Sequence, residues 1–182
     1  MGRAWWKTGL VVVLGILVLA GLGGYGYYRY QYPYGRTHQC SRAILLALIQ
    51  YAGDHGEKFP AGEATPEASL CLLYRTGYSN AEFLAGRAKS PAVAKKILEG
   101  GGLLGPDTCD WHYTEGLTHN DSSEIAILWG KSSLGHVGQN LHGGHEVGFI
   151  DGHVEVIPAD KWEAFLAEQA ELLARRKQPA ND

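Results

Sequence analysis

Residues 1–36 contain no aspartate or glutamate. They carry Arg3, Lys7, Arg29 and Arg36, a charge of +4, and the remainder of the 182-residue chain holds 12 basic and 19 acidic residues, a charge of −7. A domain of that sign offers no basic face to phosphates, which excludes nucleic acid as a partner. Cysteine is scarce: Cys40, Cys71 and Cys109 are widely spaced and form no CxxC pair, so a zinc ribbon is excluded. An odd number allows at most one internal disulfide, and burial as small apolar residues accounts for all three equally well. Ser132-Ser133 lacks the G-x-S-x-G frame of a nucleophile elbow. Gly100-Gly101-Gly102 is not followed by Gly-Lys-Ser/Thr, so there is no phosphate-cradling P-loop. No internal repeat is present, and the length suits one domain.

One long apolar run stands out. Thr8 to Tyr28 is free of charge and, at about 1.5 Å per residue, would span roughly 30 Å, the thickness of a bilayer core. Trp5 and Trp6 flank one end and Tyr25, Tyr27, Tyr28 and Tyr30 the other, as in the aromatic belts of membrane-resident helices. A cleaved signal peptide would share the basic start and the small residues Ala20 and Gly23, but has no use for the tyrosine cluster. The expected organisation is a cytoplasmic segment 1–7, a transmembrane helix 8–28, a linker 29–36, a globular domain 37–174 with a C-terminal helix over 160–176, and a disordered tail 177–182.

The globular part reads as α+β. Pro33 interrupts any helix leaving the apolar run. Thr37 then offers an N-cap, and Cys40, Ala43, Ile44, Ala47, Leu48 and Tyr51 recur at helical spacing. Thr65-Pro66 starts a second helix, Ser79-Asn80-Ala81-Glu82 a short third and Ser90-Pro91 a fourth. Beyond Pro106 the pattern turns to strands, over 111–114 and 125–129. Glu146 to Ile157 predicts a hairpin closed by a two-residue type I′ turn at Asp151-Gly152. In that register Val147, Phe149, Val154 and Val156 share the core face, and His153 lies on the opposite face. Asp160 caps a last helix whose stripe is Trp162, Phe165, Leu166, Gln169 and Leu173.

Four segments, in order, resemble bacterial pseudopilin-like, prepilin-type proteins. Tyr51-Ala-Gly-Asp-His-Gly-Glu-Lys-Phe-Pro60 is similar to a Tyr-Ala-x-Asp-x-Gly-x-Phe-Pro segment, and Cys109 to Thr118 and Ala126 to Lys131 look like later segments of that family. His142-Gly-Gly-His-Glu-Val-Gly-Phe-Ile-Asp-Gly-His-Val154 resembles its C-terminal His…Asp-Gly signature, with eight residues between His142 and Asp151 where the family has nine. The likeness covers residues 38–157. It stops short of the leader: Met1 to Leu22 holds no acid and no Phe-Thr-Leu-Ile-Glu sequence. The resemblance implies an amphipathic helix on a small antiparallel sheet. It also implies a structural or accessory role in the envelope, related to type II secretion or pilus systems. The partners implied are the bilayer, envelope proteins and other pseudopilin-like subunits, with the domain periplasmic on a single-pass anchor in the inner membrane. It implies neither catalysis nor a cofactor.

The histidines carry the competing reading, an anchored metal-binding or hydrolytic domain. Six of eight lie between His112 and His153. His142, His145 and His153 are the candidate zinc ligands. Oxygen donors for calcium would come from Asp107, Asp110, Asn120 and Asp121. Turn chemistry accounts for Asp151 and Gly152 without a metal.

The apolar run generates a direct expectation. The chain should stay in the pellet when membranes are washed at alkaline pH, and release into the supernatant would reject the anchor.

Overall fold

The computed structural model describes residues 5–36 and 39–176. The expected cap at Thr37, the residues before Trp5 and the tail 177–182 lie outside the described residues, as do the side chains of Trp5, Trp6 and Thr8.

The elements run Trp5–Gln31 (α1), Ser41–Asp54 (α2), Pro66–Arg75 (α3), Ala81–Ala85 (α4), Pro91–Glu99 (α5), Trp111–Tyr113 (β1), Ala126–Gly130 (β2), His145–Phe149 (β3), Val154–Ile157 (β4) and Trp162–Arg176 (α6). The four strands form one antiparallel sheet in the order β1-β2-β3-β4. The fold is therefore α+β, with an apolar N-terminal helix and a C-terminal helix. Local chemistry sets the helix starts. Thr65 accepts the Ala68 N–H at 3.2 Å with Pro66 in the first turn of α3, and Asn80 accepts the Phe83 N–H at 3.0 Å ahead of α4. Asp160 does not cap α6; it sits inside a 3-10 turn, Ala159–Lys161, that leads into the helix.

The sheet is covered on both faces. On one face α2 lays Leu45 directly against Gly148, where a Cβ would overlap the leucine side chain. Trp111, Tyr113 and Leu128 point to the same side and join Ile44, Leu48, Leu70 and Leu84 in the main core. On the other face α6 packs Phe165 at 6.3 Å from the Phe149 ring, with Val147, Ala126 and Ile157 around it. Gln169 of α6 does more than fill a stripe position. Its Oε1 accepts the Ala126 N–H at 2.8 Å and its Nε2 donates to the Glu124 carbonyl at 3.1 Å. The amide thus serves the start of β2, next to the register shift between Ala126 and Leu128.

The hairpin departs from expectation by one residue. The register is Gly148 opposite Val154 and Glu146 opposite Val156, not Phe149 opposite Val154. The loop is Ile150, Asp151 and Gly152, closed by Phe149 N–H to His153 O at 3.0 Å and Gly152 N–H to Phe149 O at 2.9 Å. Gly152 alone turns to positive φ, +90°, so the turn is not type I′, which needs two such residues. Two contacts explain the change. Ile150 is drawn into the main core at 1% exposure, with its N–H on the Ile125 carbonyl. Asp151 Oδ1 accepts the His153 N–H at 3.0 Å, holding a tight side-chain turn. A shift of one residue exchanges faces. Val154 and Val156 therefore lie on the α2 side, and His153 shares the α6 side with Val147 and Phe149, against the sequence expectation on both counts.

A buried ion pair ties the pieces together. Arg87 is 3% exposed and Glu146 5%, and their Nη2 and Oε1 atoms are 2.6 Å apart. Arg87 also donates to the carbonyls of Gln39 at 3.1 Å and Leu134 at 2.7 Å, and its guanidinium lies 5.3 Å from the Trp111 ring centre. Ser41 at the start of α2 donates to the same Glu146 oxygen.

Two predictions follow from these charges. Arg87→Ala leaves a buried carboxylate without its partner and should cost about 3–5 kcal/mol in urea unfolding; a loss below about 1 kcal/mol would show that Glu146 finds relief elsewhere. Burial would raise the Glu67 carboxyl, but the Lys131 ammonium at 2.6 Å and hydrogen bonds from the Glu67 N–H and the Thr65 side chain together hold the group below its ordinary 4.5. A depressed carboxyl gives stability that is present above the unfolded value and lost as pH falls through the folded one. Lys131→Met should therefore lower stability at pH 7 by about 1–3 kcal/mol and lower it less at pH 3. Equal losses at both pH values would contradict the assignment.

Candidate functional site

The histidines and acids expected to bind metal are dispersed. His145 and His153 share a sheet face, but they lie opposite Ile157 and Phe149, four residues apart along the strands, or roughly 13 Å. His145 stacks on Trp162 with centroids 4.0 Å apart, and its Nδ1 is 2.9 Å from the Gly130 carbonyl. His153 stacks on Phe149 at 4.1 Å and pairs with Asp151 at 2.6 Å. His142 lies outside the sheet, against Tyr30 of α1. Asp110 is buried at the start of β1, where it accepts from Ala88 N and Ser132 Oγ. Asp121 sits at the other end of the β1–β2 connection, bonded to Thr118 and Arg176. Asp107 and Asn120 are exposed in separate turns. Among the described residues no three His, Cys, Asp or Glu side chains converge.

Most of the histidine cluster of the sequence is thus a set of ring-packing residues. Of the seven described histidines six pack against an aromatic ring: His55 on Tyr51, His112 on Trp129, His119 edge-on to Phe59, and the three above.

The feature with open binding capacity is the edge of β4. Because Phe149 and His153 form a hydrogen-bonded pair, the alternation of an antiparallel ladder makes 147/155 and 145/157 the other bonded pairs. Val154 and Val156 therefore turn their N–H and C=O groups away from β3, and among the described residues nothing pairs with them. The edge is short, four residues, but β4 contains no proline and no bulge, and Glu155 is its only charge. Val156 is 48% exposed, and on α2 Leu46 is 57% exposed.

Hollows flank this edge on both sides. Toward α6 a groove of about 630 Å³ is floored by the buried Phe149 and Phe165 and bordered by Glu124, Glu155 and Glu168, with Lys161 as the one opposing charge. Toward α2 a smaller cavity of about 250 Å³ is lined by Cys40, Arg42, His136, Glu146, Val154 and Val156. Cys40 is the N-cap residue of α2, but its side chain makes no capping bond; Sγ lies 3.9 Å from His136 Nδ1 instead. Sequence reasoning overlooked Arg42, Glu146 and His136. Their only signal was polar residues beside apolar ones, and the partners of Glu146 and His136 are 59 to 105 residues away in the chain.

The same end of the domain is fastened to α1. Asn140 N–H donates to the Gln31 carbonyl at 2.8 Å and its Nδ2 to the Tyr30 carbonyl at 3.3 Å, so one residue, through its backbone and its side chain, satisfies two carbonyls at the end of the helix. The Tyr30 hydroxyl is 3.3 Å from His142 Nδ1, and the two rings stack.

No protein-family model, curated protein or solved structure matches the chain.

Proposed function

We propose that this chain is a pseudopilin-like accessory subunit of the bacterial cell envelope, held in the inner membrane by α1 as a single span, with a periplasmic domain that acts through protein contacts at the β4 edge. The observation that carries the reading is an unpaired strand edge between two hollows, on a domain clamped to an apolar helix.

The anchor is supported by α1 itself. Gly9–Gln31 has a mean hydropathy of 2.1, and none of it is buried by the rest of the chain. Leu19 is 70% exposed and Tyr27 70%, a surface that water does not tolerate as a contiguous patch and that a bilayer with its interfacial belt would cover. The docking role is supported by the chemistry of the edge. Outward N–H and C=O groups at Val154 and Val156 accept an extended segment by main-chain bonding, and the flanking hollows take its alternate side chains. Three carboxylates against one ammonium in the α6-side groove favour a segment that alternates apolar and basic residues. The function is binding and assembly, and no residue is assigned a catalytic part in it.

Hydrogen exchange tests this. In membranes containing the assembled protein, the 153–157 peptide should exchange at least tenfold more slowly than in the purified, detergent-solubilised chain. Val156→Lys should abolish that difference without lowering the melting temperature by more than a few degrees. Identical exchange in both states would remove the edge as the contact.

A further inference from the structure

The cavity beside the β4 edge holds chemistry that docking does not use. Cys40 Sγ faces His136 Nδ1 at 3.9 Å, within reach of a sulfur hydrogen bond. The thiol is not spent on capping α2. The other two cysteines have no exposed surface; burial raises the Cys71 thiol and pushes the Cys109 thiol up to about 12, so both are inert. His136 is exposed, and its backbone is fixed by its loop. It opens a tight turn in which Gly135 N–H bonds to the Gln139 carbonyl at 2.8 Å, and Val137 is forced to φ +54°, a conformation β-branched residues avoid. The cavity also has a polar wall. Glu146 is 5% exposed, and its Oε1 takes both the Arg87 and Ser41 bonds, while Oε2 has no partner among the described residues. Arg42 stands at the same cavity, and Arg87 lies behind Glu146.

We propose that Cys40 is a thiol–disulfide exchange site, with His136 as its proton acceptor and a disulfide as the co-reactant. The Cys40 S–H proton passes to His136 Nδ1. The sulfur then forms a bond to one sulfur of the incoming disulfide, whose own S–S bond breaks, and the second sulfur leaves as a thiolate that can take up the proton. Cys40 is oxidised to a mixed disulfide and the leaving sulfur is reduced, with no other oxidant required. The disulfide belongs either to a small thiol or to a polypeptide; the chemistry at Cys40 is the same for both. The site stands on its own geometry and does not depend on the envelope reading.

The test uses the full chain in detergent micelles, with oxidised glutathione and a disulfide-linked decapeptide as probes, followed by mass spectrometry and stopped-flow. One thiol per chain should react rapidly, and Cys40→Ser should remove that phase. His136→Asn should slow it at least tenfold and change the shape of its pH–rate profile, with the melting temperature checked for both variants. Faster reaction with glutathione identifies a small-thiol source, and faster reaction with the peptide a polypeptide one. Slow reaction with both probes overturns the proposal. So does a fast phase whose rate and pH profile are indifferent to His136→Asn, or one that survives Cys40→Ser. Should His136→Asn unfold the chain, His136→Gln serves as the second variant under the same criteria.

Discussion

The Arg87–Glu146 pair is the constraint on which the rest of the domain depends. Two charges withdrawn from water are costly unless their remaining bonding capacity is met, and here it is met by main-chain carbonyls of two separate segments, a helix-terminal hydroxyl and an indole face. Each of those partners belongs to a different part of the chain. The start of α2, the connection after α4, the loop beyond β2, strand β1 and strand β3 must all be in place before the guanidinium is satisfied. Apolar packing of α2 on the sheet tolerates small displacements; this network does not. It sets where α2 begins, and so where Cys40 and Arg42 stand relative to β4.

What was legible in the sequence is what depends on neighbours in the chain. Thr65-Pro66 marks a helix start because the Thr65 side chain serves an amide three residues on, the Ser79–Glu82 box finds the next helix although Asn80 and not Ser79 caps it, and the strands at β1 and β2 fall where β-branched and aromatic residues gather. The α+β class and the long apolar helix are equally local. The hairpin existed where expected, but its register did not, because it is decided by Ile150 bonding to Ile125 and filling the core, a contact 25 residues away in the chain. The same holds for Arg87, whose partner lies 59 residues further on, and for Gln169, whose amide completes a strand it does not belong to. The metal-ligand expectation rested on counting histidines between two positions. Density in sequence carried no information on convergence, since alternate placement on strands and loops sent five of the six rings to different aromatic neighbours and His136 to Cys40.

The one-residue register shift also decides what kind of surface β4 presents. With Asp151-Gly152 as a two-residue turn, Val154 and Val156 would face α6, and the polar His153 and Glu155 would line the α2 side. In the observed register the valines stand beside Cys40 and Glu146, while Glu155 looks across the groove toward α6. The valine and the Glu155 sides of the edge are exchanged, and an incoming strand meets on one side a narrow hollow where the valines face a thiol, Arg42 and Glu146, and on the other a wide acidic groove.

The clamp that Asn140 places on Tyr30 and Gln31 has a mechanical consequence. A domain on a slack tether can point any of its surfaces anywhere, and its neighbours find it by tumbling. Here two hydrogen bonds and a stacked ring pair remove the slack, so the helix acts as an axle and the sheet as a vane fixed to it. Turning α1 about its own axis swings β4 through the same angle. The bearing of the open edge is then set by which side of the helix its surroundings grip.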